Sequence, residues 1–296
     1  MDNNALIALV NRLLSHAEDV IKAAKVNKVL YLLGLGNSGI QQSQEWQELA
    51  ARRVEQRKAI IEVAEVAEKS HVELMVVKTL KPFDYVPDDI DLLVIDNGQF
   101  DDFVQEMLRR GYFIRKKGTP EVTLRKVTKN TFVDLDIHFK MGAGPYEYID
   151  KHYLWKRRVH VELDGAKIAK PNQVDELLIT AAHAVMKELT ITIADILHAL
   201  SLDSQTRRES LAQARKIGLY HALKFLLDTA TKTLQATLLN RSAPKYPMRV
   251  PPYIIAQAYA ENLSYRVKTQ GLTPLKEALT IPSSKGIGTV LRYVGL

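Results

Sequence analysis

The stretch Pro87-Asp88-Asp89-Ile90-Asp91-Leu92-Leu93-Val94-Ile95 decides the fold of this chain, because it places two closely spaced carboxylates at the start of an apolar strand. Side chains of a strand alternate between its two faces, so Asp89 and Asp91 emerge on one side while the aliphatic residues enter the core. Two neighbouring anions repel each other, and a bound divalent cation is a common remedy. Mg²⁺ prefers such oxygen ligands and leaves further positions to water and phosphate oxygens. The stretch therefore predicts a Mg²⁺ or Mn²⁺ site with Asp89 and Asp91 as ligands.

A second apolar strand, Phe132-Val133-Asp134-Leu135-Asp136-Ile137-His138-Phe139, repeats the alternating pattern. Asp134, Asp136 and His138 share one of its faces. If this strand pairs beside the first, a third carboxylate from Asp134 or Asp136 joins the site as metal ligand or general base. Two Mg²⁺ ions about 3.5–4 Å apart would then activate an attacking hydroxyl and stabilise a leaving pyrophosphate. One Asp-x-Asp is often turn chemistry, but two such strands within about fifty residues favour metal or nucleotide chemistry.

Hydrophobic periodicity divides the chain into three parts, with boundaries near residues 70 and 170. Residues 1–70 have helical spacing, with an amphipathic stretch over 44–69. Residues 71–170 contain β-rich runs and one clear helix at 101–110. The predicted strands are 72–77, 91–95, 112–116, 122–127 and 132–139, followed by a hairpin over 159–169 with Asp164-Gly165 at its turn. We expect a mixed sheet with helices on one face.

Helical periodicity dominates residues 171–296, so we expect an all-helical C-terminal domain. A Pro-rich linker interrupts this part at 244–252. The predicted helices cover 174–189, 191–202, 211–217, 219–239 and 253–267.

The composition is that of a globular protein, since 296 residues with 46% hydrophobic content suffice for a full-sized core and about two domains. The lack of cysteine excludes disulfides, Cys-ligated zinc and thiol catalysis. A formal charge of +7 favours an anionic partner, which includes a nucleoside triphosphate and makes nucleic acid a possible partner. No apolar run approaches the ~20 residues of a membrane span, and the N-terminus lacks a signal pattern. We therefore expect a cytoplasmic protein with no membrane partner.

The two aspartate strands resemble those of nucleotidyltransferases of the DNA-polymerase-β-like superfamily. Members carry an Asp-x-Asp followed by aliphatic residues and a third carboxylate on a later strand, as Asp89-Ile90-Asp91 and the 132–139 strand do here. An uncharacterised nucleotidyltransferase subgroup is similar over about residues 45–200. The matching pieces are Val77-Lys78-Thr79, Gly111-Tyr112, Asp136-Ile137-His138-Phe139, His183 on a helix, and Asp195-Ile196-Leu197.

The resemblance implies an α+β fold: a nucleotidyltransferase-like mixed β-sheet with flanking helices and a C-terminal helical domain. It implies metal-dependent transfer of a nucleoside monophosphate from a nucleoside triphosphate, with ATP as the expected donor. The acceptor would be a hydroxyl on a small molecule, a protein or RNA, selected by the C-terminal helices. It also favours Asp136 over Asp134 as the third metal ligand.

The chain departs from the superfamily before the aspartate pair. Members usually place Gly-Ser or Gly-Gly there, where backbone N–H groups bind the triphosphate. This chain has Lys78-Thr79-Leu80-Lys81 instead. We expect Lys78 and Lys81 to contact phosphate as point charges and Thr79 to donate a hydrogen bond to it, with Asp134 and His138 beside the nucleotide. For Lys81, a surface position after the strand is the alternative.

Two other functions stay open, and the missing Gly-Ser turn favours the first of them. One is a binding or regulatory protein that keeps the nucleotidyltransferase fold with weak or no catalysis. The other is an enzyme that modifies its partner in a toxin–antitoxin pair.

Three other classes of site are disfavoured by the sequence. Gly34-Leu35-Gly36-Asn37-Ser38-Gly39 matches a dinucleotide-binding fingerprint, but the required second strand with an acidic end is replaced by a helical pattern around Glu55. We expect a glycine-rich helix end and loop there. The histidines show no tight zinc-ligand spacing, and a serine-hydrolase G-x-S-x-G elbow is lacking.

Overall fold

The computed structural model describes residues 1–96, 100–117, 121–129, 131–144, 146–239 and 241–279. The central sheet has the order β1-β2-β5-β4-β3. Its strands are β1 (Leu74–Val77), β2 (Ile90–Val94), β3 (Phe113–Lys117), β4 (Glu121–Val127) and β5 (Phe132–His138). Only β2 and β5 run parallel within this sheet, and its other pairs are antiparallel. The predicted α+β fold with a mixed sheet is confirmed, and each strand lies within two residues of its predicted bounds.

One face of the sheet is covered by two helices, α5 (Gln44–Lys69) and α6 (Phe100–Arg109). Their apolar side chains form a core with the strand residues, in which Val63 of α5 and Phe103 of α6 pack with Ile90, Leu92 and Leu135. Because strand side chains alternate, the carboxylates that flank these aliphatic residues lie on the other face. Apolar packing on α5 and α6 therefore dictates which way the aspartates point.

Shorter helices precede α5. They are α1 (Asn3–Leu14), α2 (Val20–Val26), α3 (Leu30–Leu35) and α4 (Ser38–Gln41). The residues directly before Gly34 belong to α3, which supports the expected helix end rather than a dinucleotide fold. A Cβ on Gly34 would lie 2.1 Å from Nε1 of Trp46, so this glycine permits close packing of α3 against α5.

Two hairpins and a helix connect the sheet to the helical part. They comprise β6 (Met141–Ala143), β7 (Tyr146–Ile149), α7 (Lys151–Lys156), β8 (Val159–Leu163) and β9 (Ala166–Lys170). The hairpin predicted over 159–169 is confirmed by the β8–β9 pairing. Its turn residues Asp164 and Gly165 both have positive φ, 49° and 84°, as a two-residue hairpin turn requires.

The C-terminal part is mainly helical. It contains α8 (Gln173–Ala182), a π-helical segment (His183–Glu188), α9 (Ile193–Ser201), α10 (Ser204–Ile217), α11 (Tyr220–Leu238), α12 (Pro252–Gln270) and α13 (Thr273–Leu279). The largest apolar core joins this part to the N-terminal helices and to the sheet face that carries the aspartates, through residues such as Leu6, Leu93 and Leu226. The expected helices on one face are present as α5 and α6, and α8 and its neighbours also cover part of the second face.

Two predictions in this part are wrong in detail. The helix predicted over 174–189 is not a single α-helix, since α8 gives way at His183 to the π-helical segment, which ends at Leu189 with φ 58°. The Pro-rich stretch 244–252 is more than a linker. It contains β11 (Met248–Arg249), which pairs with β10 (Thr190–Ile191) directly after the π-helical segment. Long-range pairing thus overrides the local helical pattern.

Among the residues that the structure describes, none of the helices is both long enough and apolar enough to cross a membrane.

Candidate active site

The three predicted carboxylate ligands line one cavity of about 390 Å³ between the sheet and the C-terminal helices. Asp91 and Asp136 are direct partners in the parallel pairing of β2 and β5, and Asp89 lies just before β2. The prediction that a third carboxylate joins the site required the two strands to pair side by side. The structure shows that pairing. The cavity brings together Asp89, Asp91 and Asp136.

Asp91 is the most tightly held of the three. Its Oδ1 lies 2.5 Å from Nζ of Lys78 and 2.8 Å from Nε2 of His138. Burial alone would raise the pKa of the Asp91 carboxyl, but the charges and hydrogen bonds of Lys78 and His138 hold this pKa well below its usual range. Asp91 is therefore an anion in the folded protein, with a lysine ammonium as its nearest counter-ion.

Asp89 lies in the negative electrostatic field of Asp91 and Asp136. Burial, followed by the charges of Asp91 and Asp136, raises the pKa of Asp89 to about 7. Asp136 accepts a hydrogen bond of 2.7 Å from Oγ1 of Thr123 on β4. Within the described ranges, no three His, Asp or Glu side chains already form a metal-binding group. Asp89, Asp91 and Asp136 nevertheless offer carboxylate oxygens, which are the ligands that Mg²⁺ or Mn²⁺ prefers.

The turn after β1 has an unexpected anchor. Lys78 adopts a left-handed backbone with φ 58°, and its N–H donates to Oε1 of Glu176 on α8 at 2.9 Å. The Thr79 hydroxyl donates to the Val77 carbonyl at 3.0 Å and accepts from the Asp91 N–H at 3.1 Å. The Thr79 hydroxyl, predicted to donate to phosphate, is thus engaged in hydrogen bonds with the backbone. The turn presents the Lys78 side chain to the cavity rather than the backbone N–H of this residue.

Lys81 reaches the same cavity from a half-buried position, so it is not the fully exposed surface lysine of the alternative. Its Nζ donates to Oγ1 of Thr180 at 2.9 Å and lies 3.2 Å from Nδ1 of His198. Burial lowers the pKa of the Lys81 ammonium, although the nearby Glu176 opposes this.

Asp134 is paired with two arginines and does not join the other three carboxylates in the cavity. It accepts hydrogen bonds from Arg115 at 2.7 Å and from Arg125 at 2.6 and 2.7 Å. Its side chain is not among those that line the cavity, whereas Asp136 and His138 are. Of the two aspartates on β5, the geometry therefore brings only Asp136 to the cavity.

The opposite wall of the cavity comes largely from the π-helical segment, which sequence patterns did not identify. His183, Ala184, Lys187 and Glu188 all line it. Nε2 of His183 lies 3.4 Å from Oε1 of Glu188, because a π-helix brings residues i and i+5 onto one face. Burial holds the pKa of His183 well below its usual range, so the ring is neutral. His183 formed part of the family resemblance, but a helical histidine alone is a weak signal.

Comparison with known proteins places the chain among nucleotidyltransferase-like proteins. The profile of a family described as "uncharacterised nucleotidyltransferase" matches residues 86–235, which is just over half of the chain and includes the three carboxylates. The chain belongs to this family, and the resemblance drawn from the two aspartate strands is confirmed.

A solved structure and the curated proteins add little to this assignment. The chain is similar to an antigenic nucleotidyltransferase-like protein from Paracoccidioides brasiliensis, with 13% sequence identity and a TM-score of 0.38. That match covers 57% of this chain and 91% of the fungal one. No curated protein sequence matches the chain.

Proposed function

We propose that the protein transfers a nucleoside monophosphate from a nucleoside triphosphate, with ATP as the expected donor, to a hydroxyl of a second substrate. The observation that carries this proposal is the parallel register of β2 and β5, which sets Asp91 beside Asp136 in the cavity that Asp89 also lines. A cluster of buried and half-buried carboxylates in a nucleotidyltransferase family is the arrangement that such a transfer needs.

Asp89, Asp91 and Asp136 would hold Mg²⁺ or Mn²⁺. The bound cation would neutralise phosphate charge and lower the pKa of the attacking hydroxyl. Asp136, oriented by Thr123, would favour loss of the acceptor proton, while Lys78 and Lys81 offer positive charge to the phosphates. The acceptor oxygen bonds to the α-phosphorus, the bond from this phosphorus to the β-phosphate bridging oxygen breaks, and pyrophosphate leaves.

The acceptor would bind against the wall from the C-terminal helices. This wall presents the imidazole of His183, the carboxylate of Glu188 and polar side chains at Thr190 and Thr192. Such groups suit a hydrogen-bonding, hydroxyl-bearing acceptor, and small molecules, proteins and RNA all meet that description.

The decisive experiment measures Mn²⁺-dependent binding of a non-hydrolysable ATP analogue and then transfer of label from α-labelled ATP to candidate hydroxyl acceptors. Asp136→Asn is expected to reduce transfer at least about a hundredfold, because it removes a carboxylate that acts on the reacting atoms. Asp134→Asn is the matched control from the same strand, and it should retain transfer once far-UV circular dichroism shows that it is folded. Equal transfer by Asp136→Asn and the wild type would refute the proposed site.

A second function is favoured by one observation. The Lys78 ammonium forms an ion pair with Asp91, and the Lys78 backbone N–H donates to Glu176. This turn therefore does not offer that N–H to a triphosphate. A binding or regulatory protein without turnover would have these features. Metal-dependent binding of the analogue without label transfer to any small molecule, protein or RNA would favour this alternative, whereas a labelled partner protein would indicate partner modification.

A further inference from the structure

Lys78 has a backbone that is fixed by a residue far away in the sequence. Its N–H donates to Glu176, which is 2% exposed and belongs to α8 in the C-terminal part. The left-handed φ of 58° is unfavourable for a lysine, so this hydrogen bond helps to hold a strained turn in place. Only the side chain of Lys78 is then able to move without breaking the junction between the sheet and α8.

The side chain of Lys78 lies where a divalent cation would otherwise neutralise Asp91. The Lys78 and Asp91 side chains are only 13% and 11% exposed, and Nζ approaches Oδ1 to 2.5 Å. His138 contacts the same oxygen. A cation that binds Asp91 therefore meets the positive charge of Lys78 at close range, where little water screens the repulsion.

The ammonium has fewer anionic partners left in the cavity when a cation is held by Asp89, Asp91 and Asp136. An unpaired charge in so enclosed a place is costly, so Lys78 leaves Asp91 readily only when another anion is offered. The triphosphate of the proposed reaction supplies that anion in the same cavity, which Lys78 lines. Its arrival would free Asp91 for the cation.

We propose, on the basis of the proposed function, that Lys78 couples the two ligands of the site: it occupies the cation position on Asp91 and leaves it when a triphosphate binds. Glu176 is the positioning residue that keeps the Lys78 backbone in place during this exchange. Since coupling between two ligands is reciprocal, the metal ion in turn favours triphosphate binding by displacing the lysine toward it.

Substitution of Lys78 by Met tests the coupling, because it removes the ammonium and keeps the backbone N–H. Without nucleotide, Lys78→Met is expected to bind Mn²⁺ about tenfold more tightly than the wild type, as followed by the electron paramagnetic resonance of free Mn²⁺. At saturating Mn²⁺, it is expected to bind a non-hydrolysable ATP analogue about tenfold more weakly, because an ammonium–phosphate contact is lost. Opposite effects of one substitution are the signature, since mere structural damage would weaken both.

Three further variants complete the test. Lys78→Gln is a second neutral variant and should behave like Lys78→Met, whereas Lys78→Arg keeps the charge and should bind Mn²⁺ as weakly as the wild type. Lys224→Met removes an ion pair of the same 2.5 Å length from the exposed side of α11 and should change neither affinity.

Unchanged or weaker Mn²⁺ binding in both neutral variants would overturn the coupling. The proposed function would survive that result if the wild type still bound the analogue with Mn²⁺. A wild type that bound neither Mn²⁺ nor the analogue would overturn both.

Discussion

Two glutamates beside Arg266 have pKa values that shift in opposite directions. Arg266 is 4% exposed and lies 3.5 Å from Oε2 of Glu147 and 2.9 Å from Oε2 of Glu277. Burial raises the pKa of Glu147 to about 7, and the charge of Arg266 offsets only part of this. For Glu277, burial is outweighed by hydrogen bonds from Lys140 and Arg266, which lower its pKa. The number of donors around each carboxylate decides the sign.

At the residue scale, Glu147→Gln is expected to stabilise the protein at alkaline pH. The native carboxyl keeps its proton up to about pH 7, whereas the unfolded chain loses it near 4.5. The native state therefore binds more protons between these values, and the free energy of unfolding falls as the pH rises through them. The glutamine removes this slope, so the variant should exceed the wild type by roughly 1–3 kcal/mol at pH 8 and match it near pH 4. Urea denaturation at a series of pH values measures the difference.

Glu277→Gln is the control of opposite sign. The lowered pKa of Glu277 stabilises the fold above its unfolded pKa, and this stabilisation is lost as the pH falls through the folded pKa. This variant should therefore be less stable than the wild type at pH 7, with a difference that shrinks in acid. If Glu147→Gln were also the less stable protein at pH 8, burial would not dominate at Glu147.

At the scale of elements, the strands that carry the candidate site were predictable because alternation involves only neighbouring residues. That rule placed Asp89 and Asp91 on one face and left Asp134 or Asp136 as the third carboxylate, and the family resemblance favoured Asp136. The Asp164-Gly165 turn followed from its own turn chemistry. The anchor of the Lys78 turn was not predictable in this way, because Glu176 lies 98 residues further along the chain. No period or turn rule connects residues so far apart.

The π-helical segment shows the same limit. Leu177, Val185 and Met186 are buried as an amphipathic α-helix would require, so the sequence pattern fits the α-helical prediction over 174–189. The change of helix type is accompanied by tertiary contacts, including a hydrogen bond from the Tyr259 hydroxyl on α12 to the Met186 carbonyl at 2.6 Å. Such contacts depend on the assembled fold, which a local pattern does not contain.

Tyr259→Phe is therefore expected to loosen this wall of the cavity. The substitution leaves the buried Met186 carbonyl without its hydroxyl donor, which should cost about 1–2 kcal/mol of unfolding free energy. Amide hydrogen exchange over 183–188 should accelerate more than exchange in α8. Tyr253→Phe on the same helix is the control, because Tyr253 is 58% exposed and its change should be nearly neutral. Unaltered exchange over 183–188 in Tyr259→Phe would show that the hydrogen bond does not hold the segment.

At the scale of the whole molecule, one apolar core connects parts that the sequence pattern separates. Leu6 from the first seventy residues, Tyr148 from the sheet-containing part and Leu226 from the last part belong to this core. Asn262 of α12 strengthens the connection, since it accepts from the Tyr146 hydroxyl at 2.6 Å and donates to the Tyr148 carbonyl at 3.0 Å. The domain boundaries near residues 70 and 170 stay predictions. A shared core gives a physical reason for the parts to unfold together.

The two tryptophans of the chain allow that cooperativity to be measured. Trp46 on α5 stacks on Tyr31 with 5.4 Å between ring centroids, and Trp155 on α7 lies under the Arg158 guanidinium, 3.7 Å from its ring centroid. Trp46→Phe leaves Trp155 as the only tryptophan, and Trp155→Phe leaves Trp46. Within each variant, the midpoint of urea unfolding from tryptophan fluorescence should equal the midpoint from far-UV circular dichroism. The reason is that unfolding of one part would expose apolar surface on the parts that share its core. Comparing the two signals within one variant removes any effect of the substitution on stability. A fluorescence midpoint that precedes the dichroism midpoint in either variant would show that the part around that tryptophan unfolds independently.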